Sequence, residues 1–107
     1  MRRAIGNMTK ADRARFARLQ LFGCIACRLL AKPGTPGDIH HLTDCGQQLG
    51  HEATICLCPY HHRGYPSSEG WFKGPSLAHN KRAFVHIFGT EKQLLAISNT
   101  LMDIHPC

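Results

Sequence analysis

Hydrophobic positions come in short bursts along this chain, separated by polar and Gly/Pro-rich stretches. Phe16, Leu19 and Phe22 recur at three-residue spacing, which is a helical period. Thr9 precedes them with Asp12 three residues on, a short version of the capping box, and Gly23 supplies a stop. A helix from about Thr9 to Gly23 is therefore predicted. Residues 1–8 carry no pattern and read as a loose basic tail ahead of a single domain over 9–107. Cys24-Ile-Ala-Cys27 follows as a tight knuckle, then Lys32-Pro-Gly-Thr-Pro-Gly37, a loop that cannot continue a helix.

A short strand is expected over about 38–42 and a second, rich in β-favouring residues, over 53–57. The polar stretch through Gly46 and Gly50 would make them a hairpin with a long loop. Pro59 suits the first turn of a helix carrying His61, His62 and Arg63, because its missing N–H costs nothing there. Residues 64–75 hold three glycines and two prolines and read as a surface loop. Ser76 is expected to cap a helix through Phe88 with Gly89 as its stop, and Thr90-Glu-Lys-Gln93 to open a last helix carrying Leu94, Leu95, Ile97, Leu101 and Met102. Those two helices are expected to supply much of the apolar core.

Composition sharpens this α+β outline. At 107 residues and 43% hydrophobic, the core is modest and gains from a covalent or metal staple. Thirteen Lys and Arg against seven Asp and Glu leave a formal charge of +6, which points to a polyanion such as nucleic acid rather than to any fold. The excess is concentrated near the N-terminus, where Arg2, Arg3, Lys10, Arg13, Arg15, Arg18, Arg28 and Lys32 face only Asp12; a solvated basic helix is the plainer reading. No apolar run is long enough to span a bilayer, and Met1-Arg2-Arg3 is not followed by the apolar stretch of a secretory signal. A cytoplasmic protein with no small-molecule substrate is expected. In that reducing compartment the six cysteines point to metal rather than to disulfides.

Cys24-x-x-Cys27 and Cys58-x-x-His61 form two chelating pairs about thirty residues apart, and tetrahedral zinc needs four such ligands. Cys56 shares a strand face with Cys58 and is the rival ligand, or a simply buried thiol; Cys45 and Cys107 read as incidental. Successive helical residues point about 100° apart, so one of His61 and His62 can serve zinc while the other faces a second site. Spacing leaves open which does which. For His40 and His41 the pleat is a difficulty, since strand neighbours point to opposite faces and converge only where the strand ends or bulges. A metal held by His40 and His62 with His41 beside it is apparatus for cutting a phosphodiester: the metal polarises the phosphate and a near-neutral imidazole takes a proton from water. Arg63, Lys81 and Arg82 are candidates to hold the phosphate, with plain solvated surface as the alternative.

The segments Met8-Thr-Lys-Ala-Asp12, Gly23-Cys-Ile-Ala-Cys27, Asp38-Ile-His-His41, Thr54-Ile-Cys-Leu-Cys-Pro-Tyr-His-His-Arg63, Lys81-Arg-Ala-Phe84 and Phe88-Gly-Thr-Glu-Lys-Gln-Leu-Leu95, in this order and spacing, resemble an HNH (ββα-metal) endonuclease with a zinc knuckle. More narrowly they resemble the phage recombination-enhancement (Ref) nucleases over roughly residues 8–102. The resemblance implies a ββα-metal core flanked by an N-terminal helix and two C-terminal helices. It implies a RecA-dependent DNA endonuclease, encoded by a phage or prophage, with a recombinase filament as partner. Carried over by position, it makes His40 and His62 ligands of a catalytic ion, His41 the general base, and Cys24, Cys27, Cys58 and His61 the structural zinc set.

Two departures stand out. The position four residues after His62, often a further histidine, is Pro66, so His79 is expected as the third ligand; and no asparagine lies between His41 and His62. His51 is the candidate to orient the base, or else a DNA contact, and Asp38, on the strand face of His40, a partner to a ligand. Imidazole ligands suit manganese, nickel or zinc better than magnesium, which prefers oxygen, and the working metal stays open among magnesium, manganese and zinc. Two alternatives are a zinc-stapled nucleic-acid-binding module without catalysis and an RNA-cutting relative.

Overall fold

The first helix is set by its ends. In the computed structural model, which describes residues 8–44, 47–65 and 74–102, α1 runs Lys10–Phe22. The Thr9 hydroxyl accepts the Asp12 N–H at 3.1 Å and the Asp12 carboxylate accepts the Thr9 N–H at 2.9 Å, closing the expected capping box. Gly23 ends the helix at φ 83°. A Cβ there would lie 2.8 Å from the backbone of Gly34 and Thr35, so glycine is what lets the Pro/Gly loop close on the knuckle, where Cys24 N–H donates to the Thr35 carbonyl at 2.8 Å.

The knuckle itself is a short helix, α2 (Ile25–Leu29), capped by the Cys24 thiol. Strand β1 (Asp38–His41) pairs antiparallel with β4 (Thr54–Leu57) in unbroken register, His40 opposite Ile55 and His41 opposite Thr54. Between them the expected long loop contains its own small ribbon, β2 (Thr43–Asp44) on β3 (Gln47–Gln48). The reason is local: buried Leu42 and half-buried Leu49 anchor both feet of the ribbon, joined by the Leu49 N–H to Leu42 carbonyl bond at 2.8 Å.

Helix α3 (Pro59–Arg63) follows directly, with Cys58 as its cap, Pro59 in its first turn and Gly64 ending it in the left-handed region at φ 75°. The structure departs from expectation at Ser76. Its hydroxyl accepts the His79 N–H at 3.2 Å, and the helix begins later, as α4 (Lys81–Phe88) capped by Asn80. Residues 77 and 78 are held instead by α3, whose His61 and His62 carbonyls accept the N–H groups of Leu77 and Ala78 at 2.7 and 3.0 Å. The last helix, α5 (Glu91–Leu101), opens on the expected Thr90/Gln93 capping box.

Helix α1 packs across β1 and β4, α3 touches both strands, and α2 and α5 rest on β4, all four of whose residues are buried. The two C-terminal helices contribute Phe84, Phe88 and Leu94, with Met102 just beyond. Equal weight falls on Leu19, Phe22, Ile25, Leu42, Ile55 and Leu57 from the N-terminal half, each worth about 1.5–3 kcal/mol when fully buried. Ile97 and Leu101 stay substantially exposed. The core is thus more evenly shared than the helix pattern predicts, because β4 runs through its centre. Residues 1–7, Cys45, residues 66–73 with Pro66, and Cys107 lie outside the described residues.

Several of the N-terminal basic side chains are fastened down. The Arg15 guanidinium donates to Thr54 Oγ1 (2.9 Å), the Thr54 carbonyl (2.7 Å) and Asn99 Oδ1 (2.9 Å), tying α1 to β4 and α5. Arg18 donates to the Met102 carbonyl. Arg28 donates to the Phe22 carbonyl and lies 3.9 Å above the Phe22 ring. Part of the basic excess that suggested a polyanion partner therefore serves the fold.

Candidate functional site

Two helix caps made by cysteine build the first half of the site. The Cys24 and Cys58 thiols accept the N–H groups of Cys27 and His61, each at 3.4 Å, so each chelating pair is folded by its own short helix. The packing of α2 and α3 against β4 brings the pairs together. His61 Nδ1 stands 3.8, 3.4 and 3.3 Å from the sulfurs of Cys24, Cys27 and Cys58, and the Cys27 and Cys58 sulfurs are 3.6 Å apart. Ligands at about 2.3 Å (sulfur) and 2.1 Å (nitrogen) around tetrahedral zinc would be separated by about 3.8 Å (S to S) and about 3.6 Å (S to N). The four residues are fully buried, and among the described residues they are the one group of three or more His, Cys, Asp and Glu side chains gathered closely enough to hold a metal.

Charge points the same way. Hydrogen bonds from Cys24 and Cys27 hold the Cys58 thiol well below its ordinary range, while hydrogen bonding to Cys24 and Cys58 pushes Cys27 up. Thiols packed this closely oppose one another's ionisation, whereas a bound dication favours thiolates. Composition, burial and spacing are those of a structural zinc site. Cys56, the rival ligand, is buried outside the cluster, and burial pushes its thiol up to about 12.

His62, next to His61, turns away as successive helical residues must. Its Nε2 lies 3.2 Å from Nδ1 of His40 on β1. His40 Nε2 is 2.7 Å from Glu91 Oε1 on α5, and the other Glu91 oxygen is 3.2 Å from Lys81 Nζ. The hydrogen bond from His40, then that from Lys81, holds the Glu91 carboxyl below its usual range against the opposing effect of burial. His62 Nδ1 is buried with no hydrogen-bond partner among the described residues; the nearest carboxylate, Asp38 Oδ2, is 3.8 Å off. Burial, and then His40, lowers the pKa of His62, which favours its neutral ring.

The pleat separates the adjacent histidines of β1, with no bulge to reunite them. His40 faces α3 and α5, whereas His41 faces α1, its ring 5.9 Å from that of Phe16. His41 Nε2 is 3.0 Å from His51 Nδ1. Burial, then His51 and His40, lowers the His41 pKa. His51 is only 1% exposed and packs on Phe16 with centroids 5.5 Å apart, so it is a buried partner of His41 and not a solvent-facing loop residue.

His79 is not gathered with His40 and His62 into a ligand group. The turn at 76–79 is tied to the α3 carbonyls, which puts its imidazole beside Gly64; a Cβ on Gly64 would come within 2.3 Å of His79 Nδ1. Arg63 and Arg82 are exposed, and Lys81 is exposed but already paired with Glu91. Glu91 is the residue that sequence reasoning passes over. In sequence it is an ordinary acidic first-turn residue of a capped helix, and only its approach to a histidine fifty-one positions away distinguishes it.

The sequence model of a family described as "Recombination enhancement, RecA-dependent nuclease" matches residues 8–103. None of the curated proteins compared with the chain matches it.

Proposed function

Because the chain belongs to the recombination-enhancement, RecA-dependent nuclease family, we propose that it is a metal-dependent DNA endonuclease of the HNH type, with β1, β4 and α3 as its ββα-metal unit. The observation that carries this reading is the approach of His40 Nδ1 to His62 Nε2, 3.2 Å apart. Two imidazole nitrogens on one cation at about 2.1 Å sit about 3.0–3.4 Å apart, so the pair has the separation of neighbouring ligands. The geometry also presents His40 Nδ1 as an acceptor, since its Nε2 hydrogen is drawn to Glu91. A divalent cation held there would polarise a phosphate and stabilise charge on the leaving 3′ oxygen.

The chain's own residues do the rest. His41, the last residue of β1, is the base this reading assigns to the attacking water; its ring points to the α1 face, so the water must be reached past the end of the strand, and its lowered pKa favours the neutral ring that accepts a proton at pH 7. His51, bonded to one of its nitrogens, fixes the ring's orientation and leaves the other nitrogen for the proton. Arg63, one residue after His62, and Arg82, one residue after Lys81, are exposed and in this reading hold phosphates, which positions DNA without reading its sequence.

The decisive test compares wild type with His41→Ala on single-stranded, duplex and RecA-coated DNA, with magnesium, manganese and zinc in turn. A loss of about 10²–10⁴-fold in cleavage is expected. Residual activity equal to wild type sinks the reading, and intact DNA binding with no cleavage by wild type would leave a zinc-stapled binding module in its place.

A further inference from the structure

The Glu91 carboxylate belongs to neither the capping of α5 nor the zinc cluster, yet it is pinned in place from two sides. Thr90 and Gln93 close the capping box around it, and Lys81 holds Oε2 at 3.2 Å, which leaves Oε1 aimed at His40 Nε2 at 2.7 Å. Its side chain is only 12% exposed. As the first residue of α5 it also sits where the helix dipole favours a negative charge.

We propose that Glu91 is a positioning residue for His40: it accepts the Nε2 hydrogen, fixes the imidazole as the Nε2–H tautomer, and presents the Nδ1 lone pair toward His62 Nε2. This rests on the reading of His40 and His62 as a metal pair, and adds to it the residue that sets the pair's geometry. A neutral imidazole carries its hydrogen on one nitrogen, and a carboxylate at hydrogen-bond distance decides which. The same bond raises the basicity of the opposite nitrogen. Lys81, which sequence alone marks as a phosphate contact, acts here by holding Glu91 in place through Oε2.

The tautomer is the direct readout and needs no catalytic metal. In ¹⁵N-labelled, zinc-replete protein at alkaline pH, long-range proton–nitrogen correlation should show His40 in the Nε2–H form. Glu91→Gln, which still offers an oxygen, should keep that form, and Glu91→Ala should lose it. Titration with Mn²⁺ should then show binding weakened about 10- to 100-fold in Glu91→Ala, with zinc content and helical signal unchanged. Wild-type His40 in the Nδ1–H form overturns the proposal outright, even if the Ala variant fails to fold. So does a Glu91→Ala protein that keeps wild-type tautomer and Mn²⁺ affinity. Failure of the nuclease reading is distinguishable, because it appears as inert wild-type protein on DNA while the His40 tautomer still answers to Glu91.

Discussion

The two histidines at the end of α3 stand one residue apart and belong to opposite kinds of site. His61 is wholly buried and closes a cluster of three cysteines, while His62 meets His40 at a partly exposed pair flanked by the carboxylates of Glu91 and Asp38. The first site offers four soft or borderline protein ligands in a tetrahedral set, which leaves no coordination position for a substrate. The second brings together two imidazoles, and in the proposed reading a cation held by them would keep its remaining positions for water and phosphate. One helical step of about 100° thus separates a part that holds the chain together from a part that can do chemistry. The difference teaches why a small nuclease domain tolerates an open site: its stability is vested elsewhere.

The harshest way to break the comparison is to remove the zinc. A domain of this size has a net stability of about 5–15 kcal/mol, whereas structural zinc binding is worth about 10–16 kcal/mol at neutral pH. Chelation, or Cys58→Ser, should therefore unfold the protein at ordinary temperature, as read by loss of helical circular dichroism together with release of one zinc per chain. A folded, zinc-free protein would show that the core of Leu19, Ile25, Ile55, Leu57 and Phe84 suffices alone.

Swapping the target by one residue sharpens it. His61→Ala should cost at least the roughly 3–5 kcal/mol of truncating a buried aromatic ring, besides a zinc ligand. His62→Ala should shift stability by less than about 1.5 kcal/mol and abolish divalent-metal binding outside the cluster. Thermal denaturation and Mn²⁺ titration of both variants check this, and equal destabilisation of the two would merge the sites.

The smallest effect on cleavage is expected at Arg15, whose hydrogen bonds go to Thr54 and Asn99 and to neither histidine cluster. Truncation to Ala leaves Thr54 and Asn99 without their charged donor, at a cost of about 1.5–3 kcal/mol. Urea denaturation should show that loss with cleavage per folded molecule unchanged. A fall in activity instead would mean that the α1 clamp on β4 also sets the position of His41.

Much of the fold was legible because its signals are local. Thr9/Asp12, Thr90/Gln93, Gly23 and Pro59 act within one turn of themselves, and the helix ends fall where they point. Ser76 misled for the same reason: its hydroxyl does cap a turn, but hydrogen bonds to the α3 carbonyls hold residues 77 and 78 out of the helix. The cysteine donors Cys24, Cys27 and Cys58 were legible from spacing, since each chelating pair is folded by its own short helix, whereas spacing left His61 and His62 open as the fourth donor.

What distant residues do to one another was not legible. The His40 and His62 pairing was expected from the sequence, but the 3.2 Å approach of Nδ1 to Nε2 that gives it geometry appears only once β1 and α3 pack. The choice of His61 over His62 for the cluster required the direction in which α3 rolls against β4. Glu91 and Arg15 look like surface charge in sequence and become a positioning group and a clamp only when α5 lies on the sheet.

The sequence by itself determined the caps of α1 and α5, the three cysteine donors and the separation of His40 from His41 by the pleat, because each depends on backbone geometry within a few residues. Only the tertiary structure decided which donors meet. That choice depends on the burial of β4 and on the orientations of the helices packed around it, a balance of many weak contacts that no short stretch of chain encodes alone.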